Sequence, residues 1–208
     1  MRRHVSVPSA PPWGARRRHW RATSFASLDF ETTGLDYDHD AVVSFGVVPV
    51  RSGRVSVAGS VYQLVTPAVD SSARSMTIHE ILPKDLLEAP PLEEARETLR
   101  SCLEGRFLLT WYAEVELAFL RRTFGGSRRT WIRRTVDVRQ LAISLERAHQ
   151  DVRFTLSATA ERYGVPAENP HVALDDALVT AELFLVLATK LEERGFGRTS
   201  SFLRLTRG

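Results

Sequence analysis

The feature that most constrains this chain is a pair of acids at the end of an apolar run. Residues 24 to 30 form the run, Asp29 lies near its end, and Glu31 follows one residue later. Side chains alternate between the two faces of a strand, so both carboxylates project from the same face. Buried like charges repel each other and lose their hydration unless a cation lies between them. The segment indicates either half of a divalent-metal site or an acidic strand edge that points into water.

The composition is that of one globular domain. A chain of 208 residues with 43% hydrophobic residues can bury a sizeable core. Its longest apolar stretch, residues 177 to 191, is interrupted by polar and charged side chains, and a membrane span needs ~20 apolar residues. The single cysteine, Cys102, and the absence of a secretory pattern argue against export. We expect a cytoplasmic protein with no membrane association.

The net charge of +3 conceals an uneven distribution. Six arginines and no acid precede Asp29, which leaves a mildly acidic remainder. Together with several prolines, this predicts a basic and poorly ordered arm over residues 1–23. Such an arm would either attract the phosphates of a nucleic acid regardless of its base sequence or have no role.

The hydrophobic pattern predicts an α/β fold. Three apolar runs with short connections, residues 24–30, 41–50 and 55–65, predict a three-stranded antiparallel meander. Helical and strand patterns then alternate: we predict helices over 91–104, 114–122, 138–148, 155–163 and 173–193, and strands over 106–111 and 130–136. This order predicts a mixed sheet with helices on both faces, in one domain over residues 24–195 with a short tail over 196–208.

Three stretches of the chain resemble the sequence motifs of the DEDD exonucleases of the DnaQ type, in the class with a catalytic histidine. In chain order they are Asp29-Phe30-Glu31-Thr32-Thr33-Gly34, Ala113-Glu114-Val115-Glu116-Leu117-Ala118-Phe119-Leu120 and His171-Val172-Ala173-Leu174-Asp175-Asp176-Ala177. The resemblance covers most of residues 24 to 190. It implies a ribonuclease-H-like fold and an enzyme that removes nucleotides from 3′ ends, as the proofreading subunits of replicative polymerases do.

The resemblance also implies the site. Asp29, Glu31, Glu116 and Asp176 would hold two divalent ions, Mg²⁺ or Mn²⁺, because four negative charges balance four positive ones. His171 would be the general base, since the ordinary pKa of histidine, about 6.5, lies near operating pH. The family spacing selects Asp176 over its neighbour as the metal ligand. The residues implied on the substrate side are Thr32, Gly34, Leu35, His79, Trp111 and Tyr112.

Two positions depart from the family pattern. Glu116 stands where most members carry aspartate, and it keeps the charge with a longer reach. Trp111 and Tyr112 replace a typical His-Asn pair, so the rings either stack on an unpaired base or pack into the core. His79 either contacts the substrate or is a buried or capping histidine.

These observations lead to a metal-dependent 3′-to-5′ exonuclease that acts on DNA and releases nucleoside monophosphates, in proofreading or repair. Single-stranded or frayed 3′ ends are the expected substrate, because a terminal nucleotide must leave its partner to enter a cleft. Two alternatives stay open: a catalytically silent nucleic-acid-binding or polymerase-associated module, and an exonuclease for short RNA. Residues 200 to 208 show no glutamine-led clamp-binding peptide, so we expect a separate enzyme, with a DNA polymerase as a candidate partner.

Overall fold

A computed structural model of the chain describes residues 6–69, 71–146 and 154–206. Within these ranges the strands are β1 (Phe25–Thr32), β2 (Val42–Arg51), β3 (Arg54–Val55), β4 (Val61–Leu64), β5 (Phe107–Thr110) and β6 (Thr135–Asp137). The α-helices are α1 (Ala73–His79), α2 (Leu92–Leu103), α3 (Ala113–Phe124), α4 (Arg128–Ile132), α5 (Val138–Leu145), α6 (Leu156–Arg162), α7 (Ala173–Glu193) and α8 (Thr199–Leu205). None of these helices is long and apolar enough to cross a membrane.

The strands form one mixed sheet in the order β3-β2-β1-β5-β6, with β4 also paired to β2. β1 runs antiparallel to β2 and parallel to β5, which runs parallel to β6. The predicted meander is present. Its third run is divided by a short 3₁₀ helix, Val57–Gly59, into β3 and β4, which both pair with β2.

Helices cover both faces of the sheet, so its central strands are buried on both sides. On β1, Phe25 packs into the core formed with α5 to α8, whereas Ala26 and Leu28 pack into the core formed with α2, α3 and α4. This alternation is the period-two pattern of a strand. The predicted fold class, a ribonuclease-H-like mixed sheet covered on both faces, is confirmed.

The segment predicted as a strand over residues 130–136 differs in the structure. Its first part is helix α4, and only its end belongs to β6. The Ser127 hydroxyl accepts a hydrogen bond from the Thr130 amide at 3.1 Å, which caps the helix, and the Trp131 side chain is fully buried. The predicted end of α5 at residue 148 lies outside the described residues.

The described parts of the predicted arm and tail, residues 6–23 and 196–206, pack more closely than predicted. The segment predicted as a flexible arm contains Trp20, whose fully buried ring donates a hydrogen bond from Nε1 to Glu192 Oε2 at 2.8 Å. The segment predicted as a tail contains α8, which buries Phe202 and Leu203 in the same core. Burial of these large apolar groups explains the order of both segments.

Candidate active site

Strand β1 places Asp29 and Glu31 on the sheet face covered by α7. Asp29 and Glu31 follow Phe25 by four and six residues, so they lie on the same face of the strand as Phe25. The Phe25 side chain packs into the α7 side of the core. They pair across the strand with Gly46 and Ser44 of β2, and the register shifts directly after Glu31. This irregularity ends the regular pairing where the carboxylates meet the cleft.

The start of α7 crosses the sheet closely because β2 has a glycine there. A Cβ atom at Gly46 would lie 2.2 Å from the carbonyl oxygen of Ala173, the first residue of α7. Only a glycine permits this approach without moving backbone. Since Gly46 pairs with Asp29, the contact brings the first turn of α7, with Asp176, over the acids of β1.

His171 lies in the turn that leads into α7. It adopts a left-handed backbone conformation with φ of 66°, and its amide donates a hydrogen bond to Asp176 Oδ2 at 3.0 Å. The His171 side chain is exposed. The turn therefore fixes the backbone of His171 against Asp176 and leaves its ring accessible at the edge of the cleft.

Glu116 enters the site from the first turn of α3, and Asp137 fixes where that helix begins. Asp137 Oδ2 accepts a hydrogen bond from the Ala113 amide at 3.0 Å, and Oδ1 accepts one from the Gln140 amide at 2.9 Å. One buried carboxylate thus binds the start of α3 and also caps α5. Glu116 is 4% exposed.

The acids form one electrostatic cluster. One ligand atom each from Glu31, His171 and Asp176 lie within 4.8 Å of one another. Asp29 and Glu116 line the same cavity of about 840 Å³ as these three residues. The structure therefore brings together all five residues that the family resemblance implies as catalytic.

Burial and mutual repulsion disfavour the charged forms of these acids. Burial, followed by the charge of Asp176, raises the pKa of Glu31 to about 8. Burial also raises the pKa of Glu116 to about 8, with smaller contributions from Asp137 and Glu31. For Asp29, burial and then the charges of Glu116, Glu31 and Asp176 raise the pKa well above its ordinary value.

The cluster fits a divalent cation. Within the described residues, Glu116 Oε2 is buried and has no hydrogen-bond partner, and such an atom is costly without a ligand. Carboxylate oxygens are the ligands that hard divalent ions prefer, and a bound cation lowers the pKa of the acids around it. Asp29, Glu31, Glu116 and Asp176 are the residues that would hold the metal.

The aromatic pair at the end of β5 lies on the wall of the 840 Å³ cavity. Trp111 is partly buried and packs against the core beneath α7, while Tyr112 is 46% exposed. Both rings line the cavity with the metal-site acids. The Trp111 ring thus combines core packing with a cavity surface, and the Tyr112 ring is available to solvent.

A second cavity, of about 540 Å³, is also lined by Glu31 and His171. Four residues predicted on the substrate side line it: Thr32, Gly34, Leu35 and His79. Leu35 is 71% exposed, whereas Thr32 is buried. Glu31 and His171 therefore lie where the two cavities meet, whereas Asp29, Glu116 and Asp176 line only the 840 Å³ cavity.

Asp40 holds the loop after β1 in shape. Its carboxylate accepts hydrogen bonds from the Thr33 hydroxyl at 2.7 Å and from the Asp36 amide at 2.7 Å. A Cβ atom at Gly34 would lie 2.4 Å from Asp40 Oδ2, so a side chain there would displace this carboxylate. The Asp40 interactions therefore fix the rim of the 540 Å³ cavity.

His79 supports the same loop from beneath. Its Nδ1 accepts a hydrogen bond from the Ile81 amide at 3.0 Å, which assigns the ring proton to Nε2, 2.9 Å from Ser75 Oγ. The Ser75 hydroxyl in turn donates a hydrogen bond to the Thr32 carbonyl. Burial lowers the pKa of His79, in keeping with a neutral ring. His79 is thus a buried, hydrogen-bonded histidine that also lines the cavity.

Sequence reasoning assigned no role to three residues that shape the site. Asp137 directly follows the segment predicted as a strand over residues 130–136, and its two caps depend on which helices meet there. Ser75 has no local signal beyond its place in α1, which the sequence analysis does not predict. Arg139 lies in the first turn of α5, and its contact with the cavity depends on how β5 and α5 pack.

The fold and the acid cluster define a class, the exonucleases with a ribonuclease-H-like fold. Residues 27–184 match the RNase_T family, described as "Exonuclease". Since this match covers more than half of the chain, the chain belongs to this exonuclease family. The resemblance inferred from the three motifs is confirmed, and the prediction of an exonuclease is confirmed at the level of this family.

Comparisons with individual proteins agree with this family assignment. A PolC-type DNA polymerase III from Thermotoga petrophila is 30% identical over 186 residues, which is 88% of this chain and 13% of that protein. The "3'-5' exonuclease DinG" of Staphylococcus haemolyticus is 25% identical over 175 residues, 82% of this chain and 19% of that protein. The chain thus spans less than a fifth of the length of these two relatives.

A solved structure, exonuclease X in complex with 5′ overhanging duplex DNA, has the same fold. It aligns with a TM-score of 0.65 and 19% identity, over 88% of this chain and 99% of that one.

Proposed function

We propose that this chain hydrolyses the terminal phosphodiester bond at 3′ ends of DNA and releases nucleoside monophosphates. The observation that carries the proposal is the convergence in one cavity of two buried acids, Glu31 and Glu116, two partly buried acids, Asp29 and Asp176, and His171. Single-stranded or frayed ends are the substrate, because only an unpaired nucleotide can enter a cleft of this size. Proofreading or repair would use this activity, with a DNA polymerase as the candidate partner.

Each part of the cleft has a role in the proposed reaction. The terminal nucleoside occupies the cavity lined by Thr32, Gly34, Leu35 and His79, so the scissile phosphate lies at the acid cluster. Two divalent ions, Mg²⁺ or Mn²⁺, would hold the attacking water and stabilise the leaving 3′ oxygen when bound. His171 accepts the proton of the attacking water, which its exposed ring on a turn allows.

A labelled oligonucleotide tests the proposal. The parent protein is incubated with 5′-labelled single-stranded DNA and RNA of one sequence, with Mn²⁺ or Mg²⁺ and with chelator. We expect stepwise shortening of the DNA from its 3′ end with metal, none with chelator and none with Asp29→Ala. Asp38→Ala, which removes an exposed acid from the nearby loop, is the matched control and should shorten the DNA like the parent.

The outcomes separate the alternatives. If only the RNA is shortened, the chain is an exonuclease that acts on short RNA. Binding of the oligonucleotide by the parent without any shortening would support a catalytically silent module and contradict the proposal.

A further inference from the structure

Arg139 is a basic residue in a cavity that is otherwise lined mainly by acidic and uncharged side chains. Within the part of the chain that the structure describes, it is the only lysine or arginine that lines the 840 Å³ cavity. The other ionisable side chains there are the acids of the cluster and His171, besides Tyr112. A nucleic acid strand that leaves the cluster through this cavity carries further phosphates past Arg139.

The structure holds Arg139 in place while leaving its outer nitrogens available. The Arg139 amide donates to the Trp111 carbonyl at 3.3 Å, and Nε donates to the Phe154 carbonyl at 3.3 Å. Its guanidinium carbon lies 5.6 Å from the centre of the Tyr112 ring. Neither terminal nitrogen bonds to a residue among those the structure describes. A guanidinium fixed through Nε keeps its fork of two nitrogens for an anion.

The Tyr112 ring supplies the second element of the subsite. It is 46% exposed and forms part of the cavity wall beside Arg139. Exposed aromatic rings stack on unpaired bases of any sequence, and arginine adds a cation–π contribution. An exposed ring with a guanidinium over it offers one group for the base and one for the phosphate of a single nucleotide.

We propose that Arg139 and Tyr112 bind the nucleotide that precedes the scissile bond, with Tyr112 under its base and Arg139 on its 5′ phosphate. The inference rests on the proposed function, which places the terminal nucleoside in the 540 Å³ cavity. Because Glu31 and His171 line both cavities and the other three acids line the 840 Å³ cavity, the next nucleotide enters the 840 Å³ cavity. Arg139 is thereby a binding residue that makes the enzyme favour chains over single nucleotides.

Two substrates isolate this subsite. The p-nitrophenyl ester of thymidine 5′-monophosphate has the reacting bond but no second nucleotide, whereas a single-stranded thymidine oligonucleotide has both. We expect Arg139→Gln to lower the ratio of kcat/KM on the oligonucleotide to kcat/KM on the ester by roughly tenfold, mainly through KM. Tyr112→Ala should lower the same ratio by roughly 5- to 100-fold. Arg129→Gln, an exposed arginine outside both cavities, is the matched control and keeps the parent ratio.

The salt dependence of binding separates a phosphate contact from a structural role. Oligonucleotide affinity is measured in Ca²⁺ across a range of salt concentrations. Loss of one phosphate contact should reduce the slope of log affinity against log salt by about 0.7 in Arg139→Gln, and Arg139→Lys should restore it. An unchanged slope, or equal losses on both substrates, would overturn the inference and leave Arg139 as a tie between α5 and residue 154.

Failure of the proposed function gives a different result. A parent that cleaves neither substrate yet binds the oligonucleotide with an Arg139-dependent slope would contradict the exonuclease proposal and support the subsite. A parent that neither cleaves nor binds would overturn both.

Discussion

Glu116 carries the clearest sign of a ligand at the level of single residues. Its buried Oε2 has no hydrogen-bond partner in the described parts of the chain. An unsatisfied buried oxygen destabilises a protein by roughly 1–3 kcal/mol, so its retention indicates a function. The Glu116 side chain reaches the cluster from the first turn of α3, and the start of this helix is fixed by Asp137.

Replacement of this side chain tests its assignment. Glu116→Ala should lower kcat on single-stranded DNA by more than about 100-fold, since the metal loses a carboxylate. In chelator at pH 8 and above, the melting temperature should not fall, because a buried like charge is removed. Glu114→Ala, on the exposed side of the same helix turn, is the control and should retain parent activity. Cleavage by Glu116→Ala at the parent rate would show that Glu116 is not a ligand.

At the level of elements, the position of α7 decides whether the acids meet. Gly46 and Ala173 are in such close contact that a methyl group on Gly46 must move the backbone of α7. Asp176 lies one turn further along this helix, so a displacement there changes its distance to Glu31. The packing of two elements thus sets the geometry of the cluster.

Gly46→Ala should therefore reduce both stability and activity. Overpacking costs about 1–3 kcal/mol of unfolding free energy, measured by urea titration, and kcat should fall with it. Gly14→Ala is the control, since a Cβ there has no atom within 4 Å. A Gly46→Ala protein with parent stability and kcat would mean that α7 adjusts without moving Asp176.

Sequence patterns predicted the elements whose burial is periodic. The bounds of α7 and the strands of the meander follow from long apolar patterns, and the acid pair on β1 follows from alternation. The helix α4 was interpreted as a strand because its apolar residues are few, although Ser127 was a usable cap signal. The caps made by Asp137, the Ser75 hydrogen bonds and the Arg139 contact depend on tertiary packing, which no local pattern contains.

At the scale of the whole molecule, the acid cluster couples stability to pH and metal. Without metal, the folded-state pKa of Glu31 and Glu116 is about 8, above the ordinary value of 4.5. The folded state therefore binds more protons than the unfolded state between these values, and stability falls as pH rises through about 4.5 to 8. A bound divalent cation removes this repulsion and stabilises the folded state most at the high end.

Melting curves check this linkage. In chelator, the melting temperature should decrease from pH 5.5 to pH 8, and Mn²⁺ should raise it more at pH 8 than at pH 5.5. Glu116→Gln should flatten the pH dependence in chelator, because one of the acids with a raised pKa is gone. A melting temperature in chelator that rises over this range would contradict the burial of charged acids.

Arg21, in the basic segment before β1, lies far from the acid cluster. It adjoins the end of α7, where it pairs with Glu192 at 3.2 Å. Asp176 is at the other end of this 21-residue helix, which at 1.5 Å per residue is about 30 Å long. Screening limits charge effects to about 8 Å at physiological salt, so Arg21 does not act on the terminal phosphate. Any phosphate attraction by Arg21 concerns a more distant part of a nucleic acid.

The central claim is that Asp29, Glu31, Glu116 and Asp176 bind divalent cations together. Anomalous diffraction from crystals soaked in Mn²⁺ tests it most directly. We predict two manganese peaks among these four carboxylates, and their loss in Asp29→Ala crystals soaked in the same way. A map with no manganese in this cluster, at a concentration that supports oligonucleotide cleavage, would contradict the account.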